Sequence, residues 1–103
     1  MRMMCKVSIP VDTGNAAVRD GSIVQKIQSI LGEMNPEAAY FTDDGGKRTG
    51  LIFFDMADTS EIPAIAEPWF LAFNASIELK AVMNADDLAK AHPGLIAAAK
   101  KYG

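Results

Sequence analysis

Five side chains in this sequence combine a type and a placement that could carry chemistry. Arg2 and Lys6 fall on the same face of an alternating run, Arg2–Ile9, in which Arg2, Met4, Lys6 and Ser8 oppose Met3, Cys5, Val7 and Ile9. Glu78 and Lys80 share a face of a second alternating run, Ala75–Met83, expected beside the first. Two cations on one face of a buried strand need compensation. Glu78 alone cannot neutralise both, and Asp55 is a further candidate; a ligand carboxylate or phosphate would complete the balance. Tyr40, on the flank of another strand, could bring a phenol into the same cavity. Glu67 stands beside Pro68-Trp69 in an otherwise apolar helix, and burial there would raise its pKa and fit it for acid–base work. The candidate ligand site is therefore Arg2, Lys6, Tyr40, Glu67 and Glu78, accepting an organic acid or other anion. Each residue also has a plainer reading: cross-strand ion pairs for the charges, rim or core packing for Tyr40, a solvated carboxylate for Glu67.

Other constellations fail on spacing. Gly45-Gly46-Lys47-Arg48-Thr49 departs from a phosphate loop on three counts: Phe41 stands at the first glycine position, Arg48 replaces the Ser/Thr, and the loop feeds a strand. A hairpin turn accounts for it. One histidine, His92, and one cysteine, Cys5, match no zinc spacing. Asp43-Asp44 suits a solvated turn, and Asp86-Asp87 the positive end of a helix. His92 precedes Pro93 at a helix break, a poor place for a general base. Cys5 lies on an apolar strand face and reads as an inert buried thiol. No metal and no cofactor are expected.

Composition narrows the class. The chain has 103 residues, 50% apolar and 22% charged, as in ordinary globular domains. A net charge of −3 offers no basic footprint for nucleic acid. No run approaches the ~18 apolar residues of a membrane span, and MRMMCKVSIPVD has neither a long apolar stretch nor a small-residue cleavage site. With a single cysteine, the expectation is a cytoplasmic protein.

The elements that would position these residues follow from periodicity. After the first strand, Pro10 stops the ladder and a loop is expected at Val11–Gly14. Ile23, Val24, Ile27, Ile30, Leu31 and Met34 recur at helical spacing, with Asp20-Gly21 a break and Asn35-Pro36 a stop. Glu37–Thr42 and Lys47–Met56 read as a hairpin; the centre of its second arm, Leu51-Ile52-Phe53-Phe54, is apolar on both faces, as for a strand covered twice. Asp58, Thr59 or Ser60 can cap a second helix, in which Ile62, Ala66, Trp69, Phe70 and Phe73 share a face and Pro68 should introduce a kink. After the run Ala75–Met83, Asn84 caps a helical tail over 85–102, interrupted at His92-Pro93-Gly94.

The order strand–helix–strand–strand–helix–strand is the split βαβ pattern. It predicts one α+β domain over residues 1–103, ferredoxin-like, with a four-stranded antiparallel sheet in the order 4-1-3-2. Both main helices cover the face carrying Cys5, Val7, Ile77 and Leu79. The other face, with Met4, Leu51, Phe53 and Val82 among Arg2, Lys6, Glu78 and Lys80, is left bare. In MRMMCKVSIP, YFTDDGGKRTGLIFFDM and IPAIAEPWFLAFNASIELKAVMNADDL the chain resembles the dimeric α/β-barrel superfamily, particularly short bacterial members without an assigned function. That resemblance implies a homodimer paired through the sheet faces. It implies little about activity, since the superfamily includes monooxygenases, isomerases and ligand-sensing modules. Two function classes follow: a small-molecule-binding protein or enzyme using a cleft between sheet and helices or the barrel interior, and a non-catalytic assembly module. Paired charges on a side-chain-filled face would favour the second.

Overall fold

The computed structural model describes residues 1–103. Strand β1, Arg2–Ile9, is half-buried and buried at alternate residues, so its two faces are those of the sequence pattern. Helix α1, Val11–Arg19, begins directly after Pro10, not after a loop over Val11–Gly14. Pro10 fixes the φ from which a helix can start, and the Gly14 N–H donates to its carbonyl at 2.9 Å. Gly14 is tolerated within the helix because the Arg48 guanidinium occupies the place of a side chain: a Cβ there would lie 2.6 Å from Nη1. Gly21, at φ +79°, separates α1 from α2, Ile23–Met34. Helix α2 ends at Asn35, in the left-handed conformation, with Pro36 behind it. Ile30 and Met34 are buried and Ile23, Ile27 and Leu31 pack against the core, whereas Val24 faces solvent.

Strands β2, Ala38–Asp44, and β3, Lys47–Asp55, form a hairpin closed by Gly45 and Gly46, both at positive φ, as a tight two-residue turn requires. Asp58 accepts from the Ser60 N–H and Glu61 reaches back to the Asp58 N–H, a reciprocal cap on a short 3₁₀ turn that leads into α3, Ile62–Phe73. Helix α3 is continuous through Pro68. Its core face is Ile65, Ala66, Trp69, Ala72 and Phe73, and Phe70 and Ile62 turn outward. β4, Ser76–Ala81, is shorter than its alternating run, although the Val82 N–H still donates to the Arg2 carbonyl at 3.1 Å.

The sheet is antiparallel throughout, in the order β2-β3-β1-β4, the expected 4-1-3-2. Cys5 stands between Ile52 and Leu79, and Val7 beside Ile77, on the helix-covered face. Phe54, Ile52, Trp69 and Phe73 are the bulk of the core, with the two aromatic rings of α3 stacked at 6.2 Å.

The tail is two helices, α4, Ala85–Lys90, and α5, His92–Tyr102, divided at Ala91 with Pro93 in the first turn of the second. Neither buries a residue. The radius of gyration, 17.1 Å, exceeds the ~13 Å of a compact chain this long because the tail stands off the body.

Candidate functional site

The open face of the sheet collects most of the residues singled out in the sequence. Register places them in rows running across the strands. One row is Tyr40, Leu51, Lys6 and Glu78; the next is Ala38, Phe53, Met4 and Lys80; Asp55 stands opposite Arg2 at the end. Four of the five candidates therefore share a face, three of them in one row. Glu67 does not join them. It sits on α3, across the sheet, and is exposed to solvent, so the burial that would fit it for acid–base work is missing.

Charge on this face is balanced within the chain. The Arg2 Nε donates to Glu37 Oε1 at 2.5 Å, with Asp87 3.6 Å from Nη1. Lys6 is paired with Asp44, and Lys80 lies 3.8 Å from Glu78. Asp55, considered above as a partner for Arg2, instead holds the N-terminal amine at 2.6 Å. The hydrogen bond and charge of Glu37 hold the Arg2 guanidinium above its ordinary pKa; those of Asp44 do the same for Lys6, and Lys6 in turn lowers Asp44. These pairs remain open to solvent, the cations by about a third and the carboxylates by about half, and stabilise little. Their effect is to leave neither half-buried cation on this face unmatched.

Glu37, Asp44 and Asp87 are the partners that sequence reasoning missed. Asp44 was within reach of it: the alternation Tyr40, Thr42, Asp44 continues to the turn and puts the carboxylate on the open face. Lys6 on β1 reaches across β3 to pair with it on β2. Glu37 opens the expected hairpin arm on the alternation of Ala39 and Phe41, which points to the helix side, but lies just before β2, and Asp87 is near the start of α4, where no strand periodicity marks it. With Arg2 and Asp55 they line the broadest surface depression, about 730 Å³.

The centre of the face is apolar. Met4, Leu51 and Phe53 are half-buried with no helix over them, and Tyr40 is 63% exposed. No three His, Cys, Asp or Glu side chains gather in a metal-binding group.

A solved structure shares the fold. A formyltetrahydrofolate deformylase from Pseudomonas putida KT2440 superposes with a TM-score of 0.51 at 18% identity, over 80% of this chain. The fold is ferredoxin-like. The match spans 29% of that deformylase chain, so the likeness concerns one part of a longer protein. No protein-family model and no curated protein matches the sequence. No helix of the ferredoxin-like domain or its tail is long and apolar enough to cross a membrane.

Proposed function

We propose that this chain is a self-pairing ferredoxin-like module, two copies of which set their open sheet faces together as in dimeric α/β barrels. The observation that carries the reading is the face itself: an apolar centre of Met4, Leu51 and Phe53, with Arg2 and Lys6 already matched by carboxylates of the same chain. A patch so arranged is complementary to a second copy, since an isologous contact brings the same surface from both sides. Apolar groups at its centre, with the neighbouring charges closed into pairs, are compatible with the anatomy of stable interfaces. The size is adequate. Four strands ~4.8 Å apart and ~20 Å long give a plan of roughly 400 Å² per face, and side-chain relief brings the total buried by two copies to on the order of 1,000 Å².

A second reading, an organic-acid site at Arg2 and Lys6 within the paired interior, is favoured by one observation: Tyr40, Lys6 and Glu78 stand in a single row. A ligand carboxylate would there compete with Glu37 or Asp44. Light scattering on the native chain and on Phe53→Asp tests the pairing. The native chain should give twice 11.1 kDa and the variant 11.1 kDa, with circular dichroism unchanged. Equal masses for the two proteins would refute it. If the native mass falls as benzoate or citrate is added, the acid-binding reading gains instead.

A further inference from the structure

Across the sheet from the pairing face lies a cavity of about 360 Å³, between β1, the start of β3 and helices α2 and α3. Its volume falls within the range of small-molecule sites. Its origin is local. Strand β2 is an edge strand that the helix layer covers poorly, and Gly50 on β3 takes a side chain away from the floor. Phe41, opposite Gly50 in register, leans over that space: a Cβ on Gly50 would come within 3.2 Å of its ring. Val7, Ile9, Ile23, Ile27 and Trp69 supply apolar walls.

The one charged side chain in this lining lacks the partner its chemistry calls for. Arg48 is the one half-buried cation of the chain with no carboxylate within ion-pair distance; Arg2 and Lys6 both have one. The guanidinium is nonetheless held in place, since Nη2 donates to the neutral Asn15 Oδ1 at 3.0 Å and Gly14 leaves room for it beside α1. The remaining donors of its planar fork suit a carboxylate. Trp69 borders the cavity through its ring, while its Nε1–H, without an acceptor in the chain, is enclosed and is not a contact for a ligand there.

We propose that this cavity binds a small carboxylic acid with an apolar body, its carboxylate on Arg48 and its hydrocarbon or ring against Val7, Ile27 and Trp69. An anion meets the unmatched cation there, while the walls reward burial of an apolar tail. This site stands on the opposite side of the sheet from the pairing face, so its test is independent of the pairing reading.

Trp69 is the only tryptophan, and its fluorescence reports on the cavity directly. Titration with octanoate and with 3-phenylpropionate should give a saturable change in emission. Arg48→Gln should weaken binding about tenfold or more, the value of a charge-assisted hydrogen bond. Arg48→Lys, which keeps the charge and loses the fork, should fall between. Octan-1-ol should bind less tightly than octanoate. An absence of saturable change at millimolar acid would overturn the proposal, as would a Gln variant or an alcohol that binds as well as its reference. Should Arg48→Gln fail to fold, the Lys variant and the alcohol decide by the same criteria.

Discussion

Phe53 and Phe54 are neighbours in sequence and lie on opposite faces of β3, so truncating each probes a different level of organisation. Phe54 is 1% exposed and packs in the core with Ile52, Trp69 and Phe73. Phe54→Ala removes a buried ring and leaves a cavity, at a cost of about 3–5 kcal/mol. Against a total stability of about 5–15 kcal/mol, that is a large fraction. Phe53 lies on the open face of the sheet and is half-buried there. In a single chain, Phe53→Ala should therefore cost under ~1 kcal/mol, as surface changes do. In a pair the same change removes apolar burial from both copies. At about 25 cal/mol per Å² and roughly 40 Å² newly buried per ring, the loss is about 1 kcal/mol per copy and about 2 kcal/mol per pair. Denaturant unfolding at two protein concentrations separates the terms, because association stabilises by mass action. The Phe54→Ala deficit should be the same at both concentrations, whereas the Phe53→Ala deficit should grow as concentration rises. A concentration-independent Phe53→Ala effect larger than that of Phe54→Ala would refute the face assignment and the reasoning built on it.

Other outcomes follow from the same structure. Cys5 is fully enclosed, and burial pushes its thiol from 9.0 up to about 11, so the native protein should resist a disulfide reagent at pH 8 and react once unfolded; rapid native labelling would contradict this. Because the folded thiol holds its proton more tightly than the unfolded one, its contribution to stability is complete below pH 9.0. It is lost as pH rises toward about 11, which urea titrations across that range should show as a falling unfolding free energy. The helices α4 and α5 bury no residue, so a chain ending at Met83 should melt within about 4 °C of the full one, and a collapse in melting temperature would show that the tail supports the body.

The strand phase was legible because β1 alternates cleanly. Leu51–Phe54 has no alternation of its own, and its phase follows from pairing with β1, which sets Ile52 beside Cys5 and Phe53 beside Met4. The start of α1 was not legible: Pro10 ends a strand and opens a helix with the same fixed φ, and the reason Gly14 can sit in a helix is Arg48, far along the chain. Helix faces were read with an error of one residue at the edges, which turned Phe70 and Val24 inward when they face solvent. Of the candidate site, the shared face of Arg2, Lys6, Tyr40 and Glu78 was readable from period two alone. Of the partners that neutralise it, Asp44 continues the open-face alternation of β2, whereas Glu37 and Asp87 lie outside any strand and meet Arg2 through tertiary contacts that periodicity does not encode. Arg48 falls in the second hairpin arm, Lys47–Met56, where its even number places it with Gly50, Ile52 and Phe54 on the helix side.

Copies of this chain should meet through the open sheet face. Isotope-filtered NMR on a mixture of ¹³C-labelled and unlabelled chains detects contacts between copies and nothing within one. Intermolecular signals should arise from Met4, Tyr40, Leu51 and Phe53. A sample with no intermolecular signals at millimolar concentration, or with signals from Leu71, Leu95 and Ile96 on the helix layer and tail instead, would contradict the account.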